Sequence, residues 1–358
     1  MSSSTNYSNC AVSIRSVLLA IRVLLAVALV FALLYRAPFP RIAAAFRTAL
    51  TSPRMLSAGL LLVGLALLAG AIRWYVLLRA QKLVVSVSDT IRYFFSGQFF
   101  NVFLPGGCGG DLIRMYWVVR RSSGSRTRAV GTVILDRVLG LYLYIAAACL
   151  FIGLAGVLDL PGVPPPITRV AALSLLGISL AVWIIVLLRP VRFQGAFADS
   201  PGTGDARWAR LIRALAQSAS LYLHRPAALL GALGLSAANF ALQASACLCF
   251  SHSLNLPAST LQVIAAFAAA TLIGAVPVTP GAIGMREGTY VLLLQQAGVS
   301  ASGALALGLL MYLAGAFWGL PGVLVFVTEP TRSPRELAHR ARTVLQEDPL
   351  PPGDPGQC

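Results

Sequence analysis

Charged residues are scarce in this chain, and that scarcity sets the class of protein. Only 11% of the 358 residues are Asp, Glu, Lys or Arg, where a soluble domain has about 25%. Hydrophobic residues make up 57%. A soluble protein of this size cannot bury so many apolar side chains, because the accessible surface of a folded chain grows with its mass and much of the chain must face water. The composition therefore excludes an ordinary soluble domain and indicates an integral membrane protein.

Acidic residues are rarer than basic ones, which gives the chain a formal net charge of +16. A nucleic-acid-binding protein would gather its basic residues on one polar face or domain. Here they lie between apolar runs, as in membrane loops, where Lys and Arg face the cytoplasm and anionic lipid. We therefore expect membrane lipids as partners and no nucleic acid.

Histidine is nearly absent, and the cysteines are scattered. The three histidines lie far apart, and the six cysteines form no CxxC pair. Metal sites usually need ligands at short spacings, so we expect neither a metal nor a cofactor. The sequence also has no Ser-His-Asp pattern, nucleotide-binding loop or DxD motif. A transporter or binding protein is therefore a better first hypothesis than an enzyme.

Long apolar runs dominate what remains. A run of about 20 residues spans about 30 Å of hydrocarbon, and such runs lie at roughly 16–35, 55–78, 129–156, 168–188, 226–249 and 302–327. The first run is long for a signal peptide and has no clear cleavage site, so we expect a retained helix. The sequence predicts an all-α polytopic membrane helix bundle in one domain, residues 1–328. It also predicts an amphipathic cytoplasmic loop at 189–225 and a flexible cytoplasmic tail at 329–358.

Two further apolar segments are broken by proline and glycine. The breaks in segments 89–119 and 258–297 contain Pro105, Gly106, Gly107, Gly109 and Gly110, and Pro277, Pro280, Gly281 and Gly284, respectively. Such breaks survive at membrane depth only where they are buried in protein or line a wet cavity. Two broken segments in corresponding halves are typical of a transporter site. We predict two re-entrant segments and, from their weak mutual similarity, an inverted repeat; chance similarity of two Pro-Gly turns is the alternative.

Charged residues follow the first break closely. Asp111 and Arg114 lie on one face of the helix that begins after the glycines. Free N–H groups at such a helix start favour an anion, and arginine binds phosphate with two parallel hydrogen bonds. We expect a lipid headgroup site here; the alternative is a structural turn closed by an Asp111–Arg114 pair.

Two other charged pairs lie in apolar runs. Arg286 and Glu287 follow the second break and point in different directions on a helix. They are functional if they lie in the bilayer, and capping charges if they lie at its surface. Asp136-Arg137 is either an interface anchor or a buried pair, and Asp136 is a candidate counter-ion for Arg114 or Arg286.

Orientation follows from the basic residues of the loops. With the N-terminus inside and both broken segments as hairpins, most of them lie on the inner side, which places the C-terminus in the cytoplasm. The arginines between residues 36 and 54 locally oppose this topology. Arg73-Trp74-Tyr75 is predicted as an interfacial belt with a snorkelling arginine.

Three motifs together resemble the lysylphosphatidylglycerol synthase transmembrane-region family, also called flippase-like. The motifs are Gly97-x-x-x-Asn101-x-x-Leu104-Pro105-Gly106-x-x-Gly109-Gly110-Asp111-x-x-Arg114, Asp136-Arg137-x-x-Gly140-Leu141, and Pro277-x-Thr279-Pro280-Gly281-x-x-Gly284-x-Arg286-Glu287. They occur in the expected order, and the resemblance covers roughly residues 15–328. Ala282 departs from the pattern, since the family usually has a second glycine there.

The resemblance implies a membrane bundle with re-entrant elements. In two-part members this region is linked to translocation of an aminoacylated phospholipid, and a soluble aminoacyltransferase domain makes that lipid. No such domain is visible here, so synthesis of the lipid is not implied. Stand-alone members are associated with hopanoid genes and with transfer of polyprenyl-linked sugars.

The leading hypothesis is a translocase or lipid-binding transporter of the inner membrane, for an anionic phospholipid or a polyprenyl-phosphate-linked lipid. Arg114 and Arg286 would bind the headgroup together with Gly106, Gly107, Gly109 and Gly110. Asp111, Asp136, Arg137 and Glu287 would be the charge partners. The alternatives are group transfer from a polyprenyl-phosphate carrier, with Asp111 or Glu287 as base, and a scaffold for envelope-lipid synthesis enzymes.

Overall fold

The described part of the chain is helical and has no strand. The computed structural model describes residues 39–83, 85–103, 109–121, 126–157, 173–174, 177, 222, 225–275, 282 and 284–328. Its helices are α1 (Phe39–Leu50), α2 (Pro53–Ala80), α3 (Val87–Phe103), α4 (Gly109–Arg121), α5 (Arg126–Val157), α6 (Pro226–Ser253), α7 (Thr260–Gly274), α8 (Met285–Gln296), α9 (Ala301–Gly319) and α10 (Pro321–Thr328). The predicted all-α class is confirmed.

Helices α2 and α6 form the central pair of the bundle. Each has 28 residues, which gives a length of about 42 Å at 1.5 Å per residue. Each begins with a proline in its first turn, Pro53 and Pro226. Amide hydrogens in the first turn have no intrahelical acceptor, so proline, which has no amide hydrogen, costs the helix no hydrogen bond there. The two helices pack closely because Gly59 of α2 leaves room for the Phe250 ring of α6.

Within the described residues, four helical stretches are long and apolar enough to cross a membrane. They are Pro53–Ala80, Arg128–Leu154, Pro226–Ser253 and Ala301–Val325. These stretches match four of the six predicted spans. The last consists of two helices, because Pro321 has no amide hydrogen and α9 ends at Gly319. Apart from a few isolated residues, the predicted spans 16–35 and 168–188, the loop 189–225 and the tail 329–358 lie outside the described residues.

The outer face of α2 is apolar. Leu61, Leu65, Leu68 and Ile72 follow one another at helical spacing, and all are exposed. A soluble protein rarely exposes such a stripe, whereas lipid chains solvate it. The pattern therefore agrees with a membrane-spanning helix that faces lipid on this side.

Each of the two broken segments consists of two packed helices. The first contains α3 and α4, and the second contains α7 and α8. Residues 104–108, 276–281 and 283, between these helices, lie outside the described residues. Whether the two breaks approach each other as an inverted repeat therefore stays a prediction.

Glycines attach the first broken segment to the end of the bundle. Helix α3 packs on α9 and α10, where Gly319 faces the backbone of Phe99, and Gly322 faces that of Phe95. Beside Gly319, the indole Nε1 of Trp318 donates to the Leu60 carbonyl of α2 over 2.7 Å. These contacts connect α3 to the core against which the charged residues pack.

Candidate functional site

A buried aspartate joins three helices. Asp136 of α5 accepts a hydrogen bond from Arg73 Nε of α2 at 2.7 Å and another from Arg114 of α4 at 2.9 Å. The side chain of Asp136 is 2% exposed, against 11% for Arg73 and 5% for Arg114. Arg73 also donates to the Ser236 hydroxyl of α6 at 3.0 Å. One carboxylate therefore connects α2, α4 and α5, and Arg73 extends the connection to α6.

Arg114 is enclosed by aromatic rings as well as by carboxylates. Its guanidinium carbon lies 4.3 Å from the Trp74 ring centroid and 4.6 Å from that of Phe94. A second carboxylate, Asp111, lies 3.5 Å away, while the buried Nε has no hydrogen-bond partner. The planar guanidinium can stack on two rings and still donate in its own plane, which a lysine ammonium cannot do. This geometry therefore favours arginine over lysine at position 114.

A further ion pair extends this cluster to the surface. Arg137 of α5 donates from its Nε to Asp111, and its side chain is 48% exposed. Together, Arg73, Arg114, Arg137, Asp111 and Asp136 form what we call the charged cluster. Within the described residues the cluster has one more cation than anion, an excess that favours an anion nearby.

The first motif shapes the start of α4. Gly110 packs against the Gly97 carbonyl, and its N–H donates to Asn101 Oδ1 of α3 over 2.9 Å. A side chain at either glycine would collide with the opposite helix or with Arg114. This close contact between α3 and α4 places Asp111 and Arg114 against α5. Gly109 is half-buried, and Pro105, Gly106 and Gly107 lie outside the described residues.

The third motif, Pro277 to Glu287, begins α8 with a residue in the left-handed conformation. Gly284 has φ of 86°, a conformation that favours glycine. Glu287 is buried, and its carboxylate accepts the Gly284 N–H over 2.8 Å. Ala282, the departure from the family pattern, has φ of 57°, so it occupies a conformation in which glycine is unstrained. Pro277, Pro280 and Gly281 lie outside the described residues.

Arg286 is the cation of the third motif. It is half-buried, and its Nε is enclosed without a hydrogen-bond partner. Within the described residues, no carboxylate lies at ion-pair distance from it. The guanidinium packs close to Gly274 of α7, where a methyl group would lie 3.2 Å from Nε. This cation differs from Arg114, which two carboxylates neutralise.

Two tyrosines lie between the third motif and the elements of the first motif and the charged cluster. The Tyr312 hydroxyl of α9 donates to the Val102 carbonyl at the end of α3 over 3.3 Å, and it interacts electrostatically with Glu287 and Arg286. Tyr144 of α5 interacts electrostatically with both Arg286 and Arg73. The start of α8 therefore lies near the end of α3, because Tyr312 interacts with both.

Comparison with known proteins identifies the family. Residues 19–322 match the family described as the lysylphosphatidylglycerol synthase TM region. The chain belongs to this family. The UPF0104 membrane protein PH1989 of Pyrococcus horikoshii is 29% identical over 143 residues, which are 39% of this chain and 40% of that protein. Together with the four apolar stretches, this family makes the chain a multi-pass membrane protein.

All three motifs lie within residues 19–322, which match the lysylphosphatidylglycerol synthase TM region family. One residue of the charged cluster, Arg73, belongs to none of the three motifs. Arg73 was predicted to snorkel in an interfacial belt, and that prediction is wrong for Arg73 and Trp74. Arg73 and Trp74 are both buried, and the Trp74 indole donates to the Thr132 hydroxyl over 3.3 Å. The apolar run continues for about two turns beyond Arg73, and that continuation is the signal that places Arg73 inside the bundle.

Three more residues of the site carry little signal in the sequence. Ser236, Tyr144 and Tyr312 are weakly polar groups inside apolar spans, where such residues are common as packing. Their roles appear only when the helices are assembled, because each meets a charged or backbone group that is distant in the chain. A buried polar group in a membrane span needs a partner, which would have identified them as candidates but not as neighbours of Arg286 or Arg73.

Proposed function

We propose that this protein is a translocase or lipid-binding transporter for an anionic phospholipid or a polyprenyl-phosphate-linked lipid. The observation that carries the proposal is Arg286, whose half-buried guanidinium has no carboxylate at ion-pair distance within the described residues. An uncompensated cation inside a membrane protein is costly. A phosphate headgroup would offset that cost and could form two charge-assisted hydrogen bonds.

The charged cluster supplies the second part of the proposal. Arg73 and Arg114 share Asp136, so Arg73 would still neutralise Asp136 if Arg114 turned toward a phosphate. Arg137, at the exposed edge of the cluster, would meet a headgroup before it reaches the interior. In this mechanism Arg286 binds the phosphate directly, and the excess positive charge of the cluster attracts it.

The glycines of the first motif would form the wall of the site. Gly106 and Gly107 would let the backbone approach the headgroup closely. At the start of α4 the Gly110 N–H already donates to Asn101. The neighbouring N–H groups, including that of Gly109, would donate to the anion instead. This part of the proposal follows from the sequence motif and from the capped geometry of α4.

Group transfer from a polyprenyl-phosphate carrier has weaker support. It would need a carboxylate base, and the candidates are Asp111 and Glu287. Asp111 accepts from Arg137 and faces Arg114, while Glu287 accepts the Gly284 N–H. Both carboxylates are therefore already occupied by hydrogen-bond donors of the protein, which leaves them less available to a bound acceptor.

The setting of the proposed transporter is the inner membrane, with the C-terminus in the cytoplasm. Membrane lipids are its proposed ligands, and enzymes of envelope-lipid synthesis are its proposed partners. The sequence contains no nucleotide-binding loop, so lipid movement would be passive or coupled to an ion.

Reconstitution into liposomes tests this function. Wild type and Arg286→Gln would be compared for movement of labelled phosphatidylglycerol, polyprenyl phosphate and phosphatidylcholine, measured by quenching of the label from outside. We expect wild type to move an anionic lipid faster than phosphatidylcholine. Arg286→Gln should slow that movement roughly thirtyfold, because it removes a charged hydrogen bond of about 2 kcal/mol.

The matched control is Arg286→Lys, which keeps the charge but loses the two-point contact with phosphate. It should move the anionic lipid at an intermediate rate. If folded wild type moves all three lipids equally, or if Arg286→Gln moves the anionic lipid as fast as wild type, the proposed headgroup site is wrong.

A further inference from the structure

A recess lies between the end of α2 and the start of α6. Its volume is about 570 Å³, within the range of small-molecule sites. It is lined by Tyr75, Val76, Arg79, Ala80, Arg225 and Ala228. None of these residues belongs to the charged cluster or to the third motif. We call this recess the arginine groove.

Its two arginines carry charge without a partner in the described structure. Arg79 and Arg225 are both exposed. Within the described residues, neither side chain forms a hydrogen bond or lies at ion-pair distance from a carboxylate. None of the described residues that line the groove is acidic. Its remaining wall consists of apolar or aromatic side chains, which is the combination that an amphiphilic anion would need.

The groove lies where a membrane-spanning stretch ends and another begins. The stretch Pro53–Ala80 ends in it, and Pro226–Ser253 starts in it. The ends of spans lie near the headgroup layer, where tyrosine and arginine are common. Tyr75 lies about one turn deeper than Arg79 along α2. The groove thus extends from the depth of phosphates to that of the first acyl carbons.

A buried contact fixes the backbone of Arg225 beside the end of α2. The Tyr222 phenol donates to the Leu77 carbonyl of α2 over 3.1 Å, and the Arg225 N–H donates to the Tyr222 carbonyl over 2.9 Å. Behind them lies a buried apolar group that includes Tyr222, Leu77 and Leu229. Arg225 is therefore attached to the end of α2 before any ligand arrives, which lowers the entropic cost of binding.

The helix ends favour an anion on balance. Helix α6 begins here without a side-chain cap, so its partial positive charge faces the groove. The carbonyl end of α2 would oppose an anion, but the Leu77, Leu78 and Arg79 carbonyls already accept N–H groups of residues 81–83. The attraction of an anion to two arginines and an uncapped helix start therefore exceeds its repulsion from the α2 carbonyls, whose hydrogen bonds are already formed.

We propose that the arginine groove binds the phosphate of an anionic glycerophospholipid in the leaflet at this end of α2. Arg79 and Arg225 hold the phosphate from opposite sides, and Val76, Ala80 and Ala228 contact the start of an acyl chain. This site is separate from the proposed translocation site, and it does not depend on lipid movement.

Native mass spectrometry of the full chain in detergent tests the site. Bound phosphatidylglycerol would be titrated with wild type and with the double variant Arg79→Gln/Arg225→Gln. We expect the double variant to bind roughly tenfold more weakly or worse, because two charged contacts are lost. The matched control is Arg47→Gln/Arg54→Gln, which removes two exposed arginines, one in α1 and one at the start of α2, and should bind like wild type.

Three comparisons complete the test. Phosphatidylcholine should bind wild type at least several-fold more weakly than phosphatidylglycerol, and soluble glycerol phosphate should compete poorly because it lacks the acyl chain. A photoreactive residue at Ala228, which lines the groove, should crosslink phosphatidylglycerol, and adding Arg79→Gln/Arg225→Gln should abolish that crosslink. The crosslink reports the groove alone, so adding Arg286→Gln should leave it unchanged and thereby separate the groove from the proposed translocation site. Equal loss of binding in the control variant, equal binding of the two lipids, full competition by glycerol phosphate, absence of the crosslink or its loss on Arg286→Gln would each overturn the proposal.

Discussion

At the scale of single residues, Asp136 is the group on which the buried charges depend. It accepts from Arg73 and Arg114 at once, so Asp136→Asn would leave two buried cations without their shared anion. Removing one partner of a buried ion pair costs about 3–5 kcal/mol. We expect Asp136→Asn to lower the unfolding temperature in detergent clearly and to reduce the folded yield, as measured by fluorescence-detected size exclusion.

A double substitution separates charge balance from packing at this residue. Asp136→Asn combined with Arg73→Gln restores the charge excess of the wild-type cluster. It should therefore be more stable than Asp136→Asn alone, with the coupling read from a double-mutant cycle. If the two losses simply add, the Arg73–Asp136 bond contributes little and the cluster is held together by packing.

At the scale of elements, the contact between α3 and α4 determines where the first motif points. A methyl group on Gly97 would lie 2.7 Å from Arg114 Cγ, so Gly97→Ala must shift Arg114 or separate the helices. Such overpacking costs about 1–3 kcal/mol. We expect a lower unfolding temperature together with slower lipid movement, because the shift acts on the site itself.

The control for this prediction is Gly231→Ala in α6. A methyl group there meets nothing within 4 Å, and alanine favours the helix over glycine by about 1 kcal/mol. Gly231→Ala should therefore be neutral or stabilising. Equal effects of the two substitutions would mean that the close approach at Gly97 is not required.

At the scale of the whole molecule, the proposed topology places the two ends of α2 on opposite sides of the membrane. Arg54 and Lys82 lie near the two ends of this helix, and both are exposed. In a variant without the six native cysteines, Arg54→Cys should react with a membrane-impermeant thiol reagent from outside the cell. Lys82→Cys should react only after the membrane is opened. The reverse result would invert the topology, and labelling of both from one side would exclude α2 as a span.

Much of the fold follows from the sequence alone, because a bilayer imposes simple requirements on a chain. Segments 55–78, 129–156, 226–249 and 302–327 were predicted from their apolar length, and the structure has helices at all four. The breaks after α3 and α7 were predicted from proline and glycine, since backbone conformation at these residues is a local property. The helix boundary at Pro321 also has a local cause, but apolar length alone predicts one continuous span over 302–327.

The charge pairs of the site depend on the tertiary structure. Arg73 is 63 residues from Asp136 and 163 from Ser236 in the chain, so no local pattern connects them. The sequence by itself determined that this protein is a multi-pass helical membrane protein with charges after two backbone breaks, because hydrophobic length and backbone stereochemistry act residue by residue. Only the tertiary structure decided that two carboxylates enclose Arg114 while Arg286 has none at ion-pair distance in the described residues, since pairing depends on which helix faces meet across the bundle.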